Sequence, residues 1–84
     1  MRRAKMIDYL NLKTSYISAL QMGLMLNADY EEAKRGNDIL HKLCENCVDN
    51  SDYSEAEKKN MKSDLKLIKE VLAQEIERHF HLSP

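Results

Sequence analysis

Chain-breaking residues are almost absent from this sequence. The two glycines and the single proline occupy positions 23, 36 and 84, so no proline interrupts the chain before its last residue. Leu, Lys, Glu, Ala and Met are frequent, and these residues favour helices, whereas the alternating pattern of a half-buried strand does not occur. We therefore expect an all-α fold.

The length of the chain limits what it can enclose. A chain of 84 residues is expected to form a single domain spanning residues 1–84, and it buries roughly 60% of its unfolded surface. Its core is then one layer of side chains between helices, with no cavity that would enclose a substrate. A net charge of −1 with 32% charged residues gives the surface no strong field, so charge does not favour an obligatory nucleic-acid partner.

Hydrophobic periodicity and capping residues predict three helices, at about residues 4–26, 30–46 and 55–79. Asp29 with Glu32 and Ser54 with Glu57 form the D-x-x-E and S-x-x-E patterns of capping boxes, which would begin the second and third helices. Short loops between helices imply antiparallel neighbours, so we expect an up-down-up three-helix bundle. The middle helix is expected to be the shortest and the outer two to overhang it.

Each helix has an apolar face that predicts its core residues. In the first helix this face holds Met6, Tyr9, Leu10, Ile17, Leu20 and Leu24. In the second it holds Ala33, Gly36, Asn37, Leu40, Leu43, Cys44 and Cys47. In the third it holds Met61, Leu65, Ile68 and Leu72, with Val71 and Ile76 beside them. If the apolar face of the third helix is continued at the same spacing, it reaches Glu75 and His79. We therefore expect this face to be polar in the last two turns of the helix.

The segment 17–40 resembles a single tetratricopeptide-type hairpin. Ile17, Leu20 and Leu24 stand where that repeat has its first-helix core residues, and the segment 28–33 resembles its entry to the second helix. Gln21 stands where the family prefers glycine, Gly36 has no counterpart, and no second copy follows. The resemblance implies a helical hairpin rather than a repeat array, because repeats need neighbours to bury their faces.

The size, helix order and acidic middle helix are also similar to those of small cytoplasmic chaperones of flagellar and type III secretion systems. The resemblance implies a function in holding the amphipathic helix of another protein. No sequence motif supports this resemblance, so it is limited to the size of the chain and the order of its helices.

His41, Cys44 and Cys47 follow one another at intervals of three residues, and His79 and His81 lie near the end of the chain. Zinc could use these ligands, but a helix separates the two groups by roughly 35 Å. Both cysteines also lie on the predicted apolar face, where a free thiol packs as a small hydrophobe. We therefore expect core packing, no metal, no cofactor and no redox activity.

Glu75 and His79 have the i, i+4 spacing of a possible acid-base pair. No nucleophile accompanies them in the predicted arrangement and no pocket is implied. An exposed ion pair near the end of the helix is the simpler interpretation, so we do not expect an enzyme.

Five lysines cluster on one flank of the third helix, and a basic stripe of this kind can contact phosphates. They are Lys58, Lys59, Lys62, Lys66 and Lys69. No arginine or aromatic residue is interleaved with them, and the segment 29–57 holds nine acidic residues against three basic ones. A solvated face opposite those acids is favoured, and a small regulator that contacts nucleic acid through these lysines is the alternative function.

The ends of the first and third helices carry apolar residues beyond those that a bundle core requires. They are Met22, Met25, Leu26, Ile76, Phe80 and Leu82. Flexible, methionine-rich surfaces of this kind accept helices of partner proteins. The leading hypothesis is therefore an adaptor or chaperone-like protein that uses this end to bind an amphipathic helix or to form a homodimer. The alternative is that these residues are simply well buried.

The expected compartment follows from hydropathy and cysteine content. No apolar run is long enough to span a bilayer, and the basic residues Arg2 and Arg3 are not followed by the apolar stretch of a secretory signal. Two cysteines without such a signal are typical of a reducing compartment. We expect a cytoplasmic protein that does not associate with membranes.

Overall fold

The computed structural model describes residues 8–81, which form three helices: α1 (Tyr9–Met25), α2 (Tyr30–Asp49) and α3 (Glu55–His81). No strand occurs within this range. The all-α fold and the three-helix bundle predicted from the sequence are confirmed. No helix of residues 8–81 combines the length and the apolar character that crossing a bilayer would require.

The start of α1 differs from the prediction. Asp8 has extended backbone angles (φ −87°, ψ 94°) and caps the helix, its side chain accepting a hydrogen bond from the backbone N–H of Asn11 at 3.2 Å. The predicted helix therefore does not run through Asp8, and its first four positions, 4–7, lie outside the described residues. The helix ends before Asn27, whose positive φ of 69° is a left-handed conformation that asparagine tolerates.

The two predicted capping boxes are present. The Asp29 carboxylate accepts from the backbone N–H of Glu32 at 2.8 Å, and the Glu32 side chain accepts from the backbone N–H of Asp29 at 2.8 Å. The Ser54 hydroxyl accepts from the backbone N–H of Glu57 at 3.1 Å, and the Glu57 side chain accepts from the backbone N–H of Ser54 at 3.0 Å. Each box satisfies two backbone donors that a helix start would otherwise leave without partners.

The predicted ends of α2 and α3 fall short of the observed ends. α2 continues to Asp49 because Val48, which lies beyond the predicted end, is fully buried in the core. α3 continues to His81. With 17 residues, α1 is shorter than α2 with 20, so the expectation that the middle helix is the shortest is wrong.

The core lies along α2, which packs most extensively against α3 and less against α1. Its buried apolar residues are Tyr16, Leu20, Ala33, Cys44, Val48, Leu65, Leu72 and Ile76. The first and third helices meet each other along only a short stretch. One side of the α1–α3 pair is therefore left open.

Several residues predicted for the core are instead exposed: Leu10, Leu43, Cys47 and Val71. On α1 the buried side is centred on Tyr16 and Leu20, and Leu10 lies about 120° from Tyr16 and about 80° from Leu20 around the helix. On α2 the buried residues are Ala33, Asn37, Cys44 and Val48, which include only part of the predicted apolar stripe. The apolar stripes are thus wider than the surface that each helix buries.

A buried polar network joins the three helices. The Tyr16 hydroxyl donates to the side-chain oxygen of Asn37, and the Asn37 amide nitrogen donates to the carbonyl oxygen of Lys69 at 3.0 Å. Tyr16 and Asn37 are both buried. Burial raises the pKa of the Tyr16 phenol above its usual range, because the anion would lose its hydration.

Candidate protein-interaction surface

An apolar groove of about 360 Å³ runs between α1 and α3 on the open side of the bundle. Its lining residues are Ile17, Gln21, Leu67, Ile68, Val71, Leu72 and Glu75. Only two of them have polar side chains, Gln21 and Glu75. We refer to this feature as the α1/α3 groove.

Tyr9 holds the beginning of α1 against α3, about one turn of α3 before the residues that line the groove. Its hydroxyl donates to the Asp64 carboxylate at 2.8 Å and lies 2.9 Å from the carbonyl oxygen of Met61. The pKa of the Tyr9 phenol is raised, mainly by burial and to a smaller extent by the hydrogen bond to Asp64. The Lys13 ammonium lies 3.3 Å from the same carboxylate and 5.1 Å from the centre of the Tyr9 ring. The charges of Lys13 and Asp64 therefore neutralise each other.

The other end of the groove is also marked by a charge pair. Glu75 accepts a hydrogen bond from Arg78 at 2.6 Å. The predicted pairing of Glu75 with His79 is therefore wrong, and the His79 ring contacts Phe80 instead, with a centroid separation of 4.8 Å. The α3 residues that line the groove run from Leu67 to Glu75, so the groove is about 12 Å long, or just over two helical turns.

Two residues form an apolar ridge along the groove wall on α3. Leu67 and Val71 follow each other at i, i+4, and 60% and 56% of their surfaces are exposed. Both also line the groove. A ridge of large apolar side chains that remains half exposed beside an apolar groove is unusual for a surface without a partner.

Three residues of the predicted methionine-rich end are exposed: Met22, Met25 and Leu26, with Met25 at 81%. Met25 follows Gln21 by four residues and so lies one turn further along the groove side of α1. Met22 and Leu26 are rotated further round the helix, away from the groove. The end of α1 thus contributes Met25 to the open side of the bundle.

The other predicted members of that end lie elsewhere. Ile76 is a core residue with 1% of its surface exposed, so its side chain is not available to a partner in this conformation. Phe80 is half buried and packs edge-on against the Tyr30 ring of α2, at a centroid distance of 5.6 Å. It therefore lies on the α2-facing flank of α3, away from Met25, and Leu82 lies outside the described residues. The structure does not bring the five described residues of this set together as one patch.

The lysine flank of α3 faces the acids of α2. Lys62 lies 2.9 Å from the Asp49 carboxylate, and Lys69 lies 3.1 Å from that of Asp38. The hydrogen bond to Asp49 raises the pKa of the Lys62 ammonium. Lys58 donates to the backbone carbonyl of Asp49 at 3.0 Å.

Lys59 and Lys66 belong to the same surface depression, of about 330 Å³, which three acids also line. Those acids are Glu45, Asp49 and Glu55. The surface is therefore of mixed charge rather than a continuous basic stripe, and phosphates would meet carboxylates as well as ammonium groups.

The two cysteines differ in environment. Cys44 is buried and Cys47 is exposed, so the expectation that both pack in the core is wrong for Cys47. Burial raises the pKa of the Cys44 thiol. Nearby, the His41 Nε2 atom is buried without a hydrogen-bond partner and lies 3.8 Å from a Glu45 carboxylate oxygen. Among residues 8–81, no three His, Cys, Asp or Glu side chains are grouped as ligands for a metal ion.

Sequence reasoning missed the α1/α3 groove, although one signal for it was present. Leu67 and Val71 stand beside the seam formed by Leu65, Ile68 and Leu72. The apolar band of α3 is thus wider than one helix neighbour can cover.

Comparison of the chain with models of known families, with curated proteins and with solved structures finds no match.

Proposed function

We propose that this chain is a small cytoplasmic protein-interaction module, adaptor-like or chaperone-like, that binds an apolar helical surface in the α1/α3 groove. The observation that carries the proposal is the half-exposed ridge of Leu67 and Val71 beside an apolar groove. Surfaces that combine an apolar channel with polar ends are typical of helix-in-groove recognition. The two free thiols are compatible with a reducing compartment.

The dimensions of the groove support a helix as the bound element. Its length of about 12 Å corresponds to just over two helical turns, which present anchors at i, i+3 or i+4, and i+7. Ile17 of α1 and Ile68 of α3 are partly buried against the core, so they form a well-packed base for the groove. Met25, one turn beyond Gln21, extends the apolar surface and can adapt its shape to different side chains.

Site-specific photo-crosslinking in cells tests this function. A photoreactive residue at position 67 is expected to give covalent protein adducts, because a partner would lie directly on the ridge. The matched control is position 43 on α2, where Leu43 has a similar exposed fraction of 55% but lies outside the groove lining. Equal labelling at the two positions, or no protein adduct at position 67, would refute the proposal.

A further inference from the structure

We propose further that the partner in the α1/α3 groove is a second copy of this chain, so that two copies form a two-fold symmetric dimer. This inference rests on the proposed function, since it names the occupant of the same groove. It is carried by the charge pattern and by the arrangement of ridge and groove on one face.

The charges on the groove face are neutralised within the chain. Lys13 pairs with Asp64 at one end, and Arg78 pairs with Glu75 at the other. A two-fold dimer apposes the same surface patch on both subunits, so any excess of one charge would face itself. Here each end of the groove has one positive and one negative group, and the face can meet its own copy without net repulsion.

The ridge and the groove lie side by side, as a self-complementary interface requires. Leu67 and Val71 protrude from α3, while Ile17 and Ile68 are partly buried in the adjoining groove. In a two-fold arrangement the ridge of each copy enters the groove of the other, and both insertions occur at once. A partner that filled the groove but offered no groove in return would leave Leu67 and Val71 exposed.

The apolar surface on α1 is long enough to extend this contact. Leu10 lies seven residues before Ile17 and Met25 lies eight residues after it, and both are largely exposed. This side of α1 therefore spans about 22 Å. A stable dimer buries about 800 Å² on each subunit, more than a groove of about two helical turns would supply alone, so we expect Leu10 and Met25 to be covered as well.

Sedimentation equilibrium of the full chain tests the dimer, with the Leu67→Asp and Leu43→Asp variants as a matched pair. The unmodified chain is expected to have twice the chain mass. Leu67→Asp should raise the dissociation constant by at least about 100-fold, because it places an unpaired carboxylate in a desolvated contact. Leu43→Asp makes the same change at a similar exposure on α2, and we expect it to leave the dimer intact.

Circular dichroism is recorded for each variant, and Val71→Asp serves as a second groove variant should Leu67→Asp fail to fold. A folded chain that stays monomeric throughout the concentration series overturns the dimer. If position 67 then crosslinks to a different protein, the groove remains an interaction site and only its occupant is wrong. If the chain still dimerises with either groove substitution, the dimer does not form through this face. If position 67 also gives no protein adduct, the proposed function is wrong as well.

Discussion

The Tyr16 hydroxyl donates its hydrogen bond to the side-chain oxygen of Asn37, and Asn37 in turn donates to the backbone of α3 at Lys69. One asparagine therefore joins all three helices in the buried interior. A buried amide is stable only when its polar atoms have partners. The position of Asn37 thus fixes how α1 and α3 are placed along α2.

Substitution of Tyr16 by phenylalanine is expected to destabilise the fold. It removes the donor to the Asn37 oxygen and leaves a buried acceptor unsatisfied, at a cost of about 1–3 kcal/mol in unfolding free energy. Urea denaturation followed by circular dichroism measures the change. Tyr30→Phe is the matched control, because the Tyr30 hydroxyl bonds to Glu77 at an exposed site. A loss for Tyr30→Phe as large as for Tyr16→Phe would contradict this role for the buried pair.

Stability is expected to fall in alkaline solution. The pKa of the Tyr16 phenol is raised in the folded protein by burial, whereas an unfolded tyrosine titrates near pH 10. The unfolded state therefore loses this proton first, and the stabilisation is complete below about pH 10 and decreases as the pH rises further. Each such phenol contributes at most about 1.4 kcal/mol per pH unit.

Urea denaturation at a series of pH values above 10 measures this slope. Tyr16→Phe should have a shallower decrease than the unmodified chain, because one of the titrating phenols is absent. The lysines of both proteins also titrate in this range, so only the difference between the two slopes reports on Tyr16. Identical slopes would show that the Tyr16 phenol ionises equally well in the folded protein.

The two cysteines are expected to differ in reactivity. Cys47 is exposed and Cys44 is buried, so an aromatic disulfide reagent should modify one thiol of the folded protein quickly and the second only after unfolding. Cys44→Ala should cost about 1 kcal/mol because it removes buried volume. Cys47→Ala should change the unfolding free energy by less than about 0.5 kcal/mol. Two thiols that react at the same rate under native conditions would be incompatible with this arrangement.

The lysine flank is not expected to confer nucleic-acid binding. Reversing Lys59 and Lys66 to glutamate should leave self-association unchanged, because neither lysine lines the α1/α3 groove and neighbouring carboxylates already offset the lysine charges. Fluorescence anisotropy with labelled DNA and RNA at low salt measures binding directly. Salt-dependent binding that these substitutions remove would establish the alternative function as a regulator that contacts nucleic acid.

The sequence predicted the parts of the fold that local physics determines. The capping boxes at Asp29 and Ser54 were found from residue type and spacing, because a cap acts within one turn of its helix. The burial of Tyr16 was missed, although Asn37 on an apolar face implied a buried partner. A periodic pattern marks the apolar side of a helix, but it does not say which part of a wide stripe its neighbours cover.

The candidate site was harder to predict for the same reason. Met25 was recognised as surplus to the core, and it is exposed. Phe80 was placed with it because both stand near the same end of the bundle, yet Phe80 packs on Tyr30 of α2. The α1/α3 groove depends on how far α1 stands from α3, which is a tertiary distance that no single helix encodes.

The central place of α2 has a consequence for how the molecule opens. Since α1 meets α3 along only a short stretch, α1 can detach by giving up its contacts with α2, while the α2–α3 pair keeps its own. Regions that can open separately exchange their amide hydrogens through smaller fluctuations than global unfolding requires. Amides of α1 should therefore exchange sooner than those at the centre of α2, and anything that clamps α1 to the rest of the molecule should slow their exchange.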